Sequence, residues 1–294
     1  MEGPQTKALA DYLHALLTGS AVERLDVPEH RWQANMMLLN CVGQVIQRVN
    51  SHGKWLIFDF SHGVTWMCHP LAKSTWKVRE PQTASPLRLA GDALEDPKRR
   101  RPGKPPLIHL VLRNRTEARL IGRPLFYILP TATIWRHAEF QPLGPDPLSA
   151  HFVAEYFLAR LRAATGRPLA AALLDQTIVA GIGNQMKCEI LFEAKLAPAT
   201  RISDLFSSEM DALGGAVVRT MKRFYQFHAS QLEGGRENRS FAVYDRAGEP
   251  CIECGGAIEV DRSAGDGHFT WYCPACQSGG HTARPGLFDA PQGP

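Results

Sequence analysis

Between Gln5 and Thr18, apolar positions recur at helical spacing: Ala8, Leu9, Tyr12, Leu13, Leu16 and Leu17 share one face, so the chain opens with an amphipathic helix. Pro4 suits its first turn and Gly19 its end. The period then changes. Val42 to Val49, Trp55 to Phe60, Val64 to Cys68, Leu107 to Arg113 and Phe126 to Leu129 read as strands, and Gly91 to Pro106, rich in proline and charge, reads as a mobile hairpin excursion. Helical spacing returns from His151 to Leu232, at Phe152, Tyr156, Phe157 and Leu161 and again around Leu173, Ile190 and Val217. After the polar stretch Gly234 to Arg239, the segment Phe241 to Gln277 carries turn signals and paired cysteines, and Ser278 to Pro294 reads as a disordered tail. The expected domains are therefore a β-rich unit over 1–130, a helical unit over 131–240, a short hairpin module over 241–277 and a tail over 278–294.

A chain of 294 residues is long enough for two domains with their own cores. No apolar run approaches the roughly 20 residues needed to cross a bilayer, and no secretory signal opens the chain, so a soluble cytoplasmic protein without membrane partners is expected. A net charge of +4 permits a nucleic-acid partner without requiring one.

Cysteine spacing carries the sharpest chemistry. Cys251-x2-Cys254 is followed, after 18 residues, by Cys273-x2-Cys276, and two such knuckles can close a tetrahedral thiolate shell around one zinc ion. Four protein ligands leave no open position for water, so the metal is expected to be structural and to staple a hairpin. Cys41, Cys68 and Cys188 lie in apolar surroundings and read as small buried hydrophobes. Between the knuckles, His268, Thr270, Trp271 and Tyr272 either reach a nucleic acid or pack over the metal core. Gly181-Ile182-Gly183-Asn184 precedes a helical run, where free backbone amides can hold a phosphate, with Asn184 and Lys187 beside them.

In order, the MEGP start, the HGK strand entry at 52–54, LLDQTIVAGIGNQMKCEILFEAKL, VYDRAGEPCIECG and FTWYCPACQ resemble the formamidopyrimidine-DNA glycosylase and endonuclease VIII family, endonuclease VIII more closely, over about residues 1–277. His69 to Val78 resembles the endonuclease VIII stretch whose side chains fill the void left by an extruded base. The resemblance implies an α+β multidomain fold: an N-terminal β-sandwich flanked by helices, a helix-two-turn-helix domain and a C-terminal zinc-ribbon β-hairpin. It also implies damaged DNA as partner, with the lesion flipped into a cleft between domains. The corresponding function is base-excision repair, glycosylase plus abasic-site lyase, by a monomeric bacterial-type enzyme associated with the nucleoid. The alternative is a damaged-DNA or abasic-site binding protein that has lost glycosylase chemistry.

Carried across by position, Glu2 takes the general acid/base role and Lys54 the phosphate-contacting or catalytic lysine role. Asn184 takes the phosphate contact of the helical motif, and His69, Leu71, Ala72 and Lys73 fall among the DNA contacts. Four departures accompany these matches. The family's nucleophilic N-terminal proline is missing, and Met1 stands directly before Glu2, so its α-amine takes the nucleophile's place with Lys54 as substitute. Gln5 replaces a second glutamate. His268 falls where the hairpin usually places a phosphate-gripping arginine, and Leu71, Ala72 and Lys73 differ from the endonuclease VIII set.

Overall fold

The computed structural model describes residues 1–27, 40–71, 74–81, 106–236, 240–262 and 267–278. The expected excursion at 91–106, apart from Pro106, and the tail beyond Ser278 lie outside these residues. By their contacts the residues form two compact units. One comprises Met1 and the described parts of Gly3–Gln141 and Tyr225–Glu237, and the other comprises Glu2, Pro142–Phe224 and the described part of Asn238–Pro294.

The first unit is a β-sandwich with a helix against it. Helix α1 (Gly3–Leu17) buries Ala8, Leu9, Leu13 and Leu17, the stripe its spacing predicts. Strands β1 (Val22–Asp26), β6 (Ile108–Leu112), β7 (Glu117–Ile121) and β5 (Thr75–Arg79) form one sheet in the order β1-β6-β7-β5. Strands β2 (Ile46–His52), β3 (Trp55–Phe60), β4 (Val64–His69) and β8 (Leu125–Pro130) form the other, in the order β2-β3-β4-β8. Every pairing is antiparallel. Aromatic rings fill the space between the sheets. Phe58 of β3 meets Trp76 of β5 with ring centroids 5.0 Å apart, and Trp66 lies 4.6 Å from Phe60 and 5.6 Å from Phe126. Burying each such side chain contributes roughly 1.5–3 kcal/mol, which makes this layer the main source of the unit's stability.

Two sequence expectations need revision. The strand expected over Val42 to Val49 begins only at Ile46, because Gly43 takes a left-handed φ of 84° and turns the chain, leaving Val42 exposed. Strands β1, β5 and β7 had no counterpart in the sequence reading. Each has five residues; β5 turns Trp76 and Val78 inward and β7 turns Ala118 and Leu120 inward, an apolar/polar alternation that TWKVR and EARL display, though only over very short runs.

The second unit holds α2 (Ala154–Ala163), α3 (Leu169–Leu174), α4 (Asn184–Glu193) and the N-terminal part of α5 (Ser207–Leu232), followed by a short hairpin of β9 (Glu259–Asp261) and β10 (Thr270–Tyr272). Phe157, Leu161, Leu173, Ile190, Leu213 and Val217 pack as one helical core. A second, small core joins Cys188 and Phe192 of α4 to Val243, Cys251, Ile258 and Cys273 of the hairpin module. Among the described residues no helix is long and apolar enough to cross a membrane.

Candidate functional site

In the second unit a loop is shaped to present the first amides of α4. Asp175 accepts from the Thr177 amide and hydroxyl, and Gln176 donates to the carbonyls of Leu174 and Ile182 while accepting from the Gly181 amide. Gly181, at φ 94°, supplies the turn. The Glu2 carboxylate is bound at the helix start. Its Oε2 accepts from the amides of Gly183 (3.2 Å) and Met186 (3.1 Å), and its Oε1 accepts from the amide of Gln185 (2.9 Å). These donors have no partner inside the helix, and the positive end of the helix dipole adds to the attraction. Gly183 is required by this approach and not by its backbone angles, since a Cβ there would lie 2.5 Å from Oε1 and 2.7 Å from Cγ of Glu2.

The remaining expected residues of this unit fall in different places. Asn184 donates from Nδ2 to the Phe269 carbonyl (3.1 Å), tying α4 to the hairpin, while its Oδ1 is buried without a hydrogen bond. His268, next to Phe269, is exposed. Lys187 does not fit the expectation of a surface phosphate contact: it is fully buried, so its ammonium is not presented to solvent. Thr270 is buried, and Trp271 packs against Tyr244 at 4.8 Å, which makes both packing residues. Sequence reasoning missed Glu189. This buried carboxylate accepts from the successive amides of Ala242, Val243 and Tyr244 and so fixes the chain's entry into the hairpin module. A glutamate two residues after Lys187 inside an apolar helical run was the available signal.

In the first unit, Gly53 and Lys54 form the two-residue turn between β2 and β3, with Gly53 at φ 57° and His52 paired with Trp55. His69 ends β4, edge-on to Trp55 at 5.1 Å, with Nδ1 buried and unpartnered. Its pKa is pushed down to about 4, first by burial and then by the positive charges of Lys54 and the Met1 α-amine, so these groups are brought to one place. Leu71 follows, 41% exposed, whereas Ala72 and Lys73 lie outside the described residues. Burial pushes the Cys41 and Cys68 thiols up to about 12, which removes them as nucleophiles near neutral pH.

The neutral imidazole of His69 has a measurable consequence. A free histidine titrates near 6.5, so between that value and about 4 the unfolded chain binds the extra proton and the folded one does not. The stability this group contributes is present above about 6.5 and is lost as pH falls through that window. Histidine Cε1–H resonances followed by NMR will show the His69 midpoint near 4, and an anion seated beside Lys54 and the α-amine will raise it. A midpoint at the free value would refute the enclosure.

The sulfurs of Cys251, Cys254, Cys273 and Cys276 all lie within 4.8 Å of one another, with Cys251–Cys276 at 3.9 Å and Cys254–Cys273 at 3.5 Å. A tetrahedral ion with zinc–sulfur bonds of about 2.3 Å places its ligands about 3.8 Å apart, so the donor set fits a metal of that kind. The amides of Glu253 and Gly256 point at the Cys251 and Cys254 sulfurs, stabilising negative charge there.

Comparison with known proteins agrees with this architecture. The family model described as the formamidopyrimidine-DNA glycosylase H2TH domain matches residues 143–233. The formamidopyrimidine-DNA glycosylase of Ruegeria pomeroyi is 28% identical over 292 residues, covering 94% of this chain and 99% of that protein. Endonuclease 8 of Escherichia coli O1:K1 is 29% identical over 285 residues, with the same coverage. These identities place the chain no nearer to one than to the other. Among solved structures, Lactococcus lactis formamidopyrimidine-DNA glycosylase, bound non-covalently to DNA containing an abasic site, matches with a TM-score of 0.76 at 20% identity, over 95% of this chain and all of that one. Residues 143–233 thus carry the helix-two-turn-helix domain of formamidopyrimidine-DNA glycosylases, and over nearly its whole length the chain is similar to formamidopyrimidine-DNA glycosylases and endonuclease 8.

Proposed function

We propose that this chain is a base-excision repair enzyme that removes damaged bases from DNA and then cleaves the abasic strand, with an amine of Met1 or Lys54 as nucleophile. The observation that carries this reading is the Glu2 carboxylate, held on three backbone amides one peptide bond from the Met1 α-amine. An ordered carboxylate beside an amine is what Schiff-base chemistry on a sugar needs. The relatives named glycosylases and endonuclease 8 support the same class.

The amine nitrogen bonds to C1′ as the glycosidic bond breaks, and the damaged base leaves with a proton. Glu2 delivers a proton to the ring oxygen as the sugar opens, giving an imine at C1′. Loss of a C2′ proton and departure of the 3′-phosphate cut the strand, and water then hydrolyses the imine and returns the amine. A primary α-amine has a reference pKa of about 7.7–8.0 against about 10.4 for lysine, so the Met1 amine offers more of the neutral nucleophile near pH 7.5. Lys54 and His69 beside it suit the flanking phosphate. Zinc, held by the four cysteines, supplies no chemical step. It fixes the hairpin that carries His268 and Phe269.

Incubation with an abasic-site oligonucleotide and borohydride, on protein whose N-terminus is verified by intact mass, will trap a covalent adduct. Peptide mapping will place it on Met1 or Lys54, and Glu2→Gln will slow its formation by roughly 10²-fold or more. Tight lesion binding with neither adduct nor cleavage would instead establish the binding-only reading, which the missing proline, Gln5 and His268 favour.

A further inference from the structure

Aromatic side chains of the second unit form a chain of contacts that runs to the surface. Phe224 stacks on Phe241 (5.6 Å), Phe241 meets Tyr244 (4.9 Å), Tyr244 meets Trp271 (4.8 Å), and Trp271 lies edge-on to Phe269 (6.4 Å). The first four rings are buried or half-buried, but Phe269 is 52% exposed. That ring is nevertheless held in place. Its own carbonyl accepts from Asn184, the next residue Thr270 is buried in β10, and the Arg262 guanidinium, from just beyond β9, sits over the ring at 5.0 Å.

A large apolar ring left half in water is unfavourable unless something covers it, and here the backbone and a cation hold it outward. Beside it stand the Arg262 cation, over the ring, and the His268 imidazole, one residue before it, both exposed. An aromatic face flanked by positive charge is complementary to a nucleobase with phosphates on either side. It is much less suited to an apolar protein surface, where the guanidinium would have to be desolvated.

We propose that Phe269, braced by Arg262 and Trp271, is a stacking contact for one unpaired nucleobase of a DNA strand. The inference rests on the proposed function and deepens it, because it makes single-stranded or locally unpaired DNA a preferred target. Stacking accepts any base, so Phe269 adds affinity for unpaired nucleotides without reading sequence.

The test uses the full-length, zinc-loaded protein and gapped duplexes carrying 2-aminopurine in the single-stranded segment, with affinity measured by anisotropy across a salt series. Wild type will quench 2-aminopurine on binding. Phe269→Ala will bind the gap roughly fivefold to a hundredfold more weakly, lose the quench and keep the salt dependence, since no phosphate contact is removed. Phe269→Trp will restore both affinity and quench, whereas Phe269→Leu will not. Should Phe269→Ala lose its zinc or its fold, the Trp and Leu variants decide. Wild-type affinity in Phe269→Ala, or full affinity in Phe269→Leu, overturns stacking while leaving the repair reading intact. Failure of the wild type itself to bind DNA overturns both.

Discussion

Under the proposed repair chemistry, Gly183→Ala will abolish most strand cleavage while leaving the protein folded. The added methyl falls 2.5 Å from Oε1 and 2.7 Å from Cγ of Glu2, and it meets a carboxylate pinned by three amides, not a side chain free to swing aside. Gly183 itself has φ −122° and ψ −167°, extended values that alanine adopts freely, so the whole effect comes from contact. Expelling the carboxylate leaves helix amides without their acceptor and takes the proposed acid/base away from the sugar. Overpacking of this kind costs about 1–3 kcal/mol in stability, and loss of a positioned acid/base about 10²–10⁴-fold in rate. A double-mutant cycle isolates the cause. In a Glu2→Ala background the methyl at 183 meets no carboxylate, so the second substitution will cost little further rate or stability. Additive losses in that cycle, or a Gly183→Ala enzyme as fast as wild type, would show that the Glu2 seat has no part in the reaction.

That seat also shows how far sequence reasoning reaches. Residues 2 and 183 stand 181 positions apart, and no local pattern joins them; only the family resemblance marked both. What was legible was local. The cysteine knuckles announce themselves because two short spacings fix the ligand geometry, and β3 because Trp55 to Phe60 is an unbroken apolar run, buried at every position. The misreading of Lys187 has a physical origin. Helix α4 is buried from Met186 through Phe192, charged residues included, so it has no polar face from which to infer where a lysine points. Buried Glu189 escaped notice for the same reason, since its role depends on the three amides of residues 242–244, more than fifty positions away. Strands β5 and β7, by contrast, were legible, since Trp76 and Val78, and Ala118 and Leu120, alternate with polar residues over five positions.

Cys273→Ser will release the metal and unfold the hairpin module while the helical core stays intact. The module cannot hold itself together: β9 and β10 have three residues each, and a two-stranded hairpin of that length has too little ladder to be stable in water. Its small core depends on Cys251 and Cys273 as much as on Val243 and Ile258, so the ligands are also the packing. Structural zinc contributes about 10–16 kcal/mol in small metal-dependent folds, far more than these contacts alone supply. The larger core around Phe157, Leu173, Ile190 and Val217 includes none of the four ligands. Metal analysis will therefore fall from one metal ion per chain to near none, and fluorescence from the Trp271 and Tyr244 pair will shift as they separate. Helical circular dichroism will remain close to that of wild type, and a strong chelator will reproduce the result. DNA affinity will fall in parallel, because His268 and Phe269 lose their fixed positions and Asn184 loses the carbonyl it binds. A variant that lacked the metal yet kept the Trp271 signal and full affinity would show that the four sulfurs need no metal to shape the hairpin.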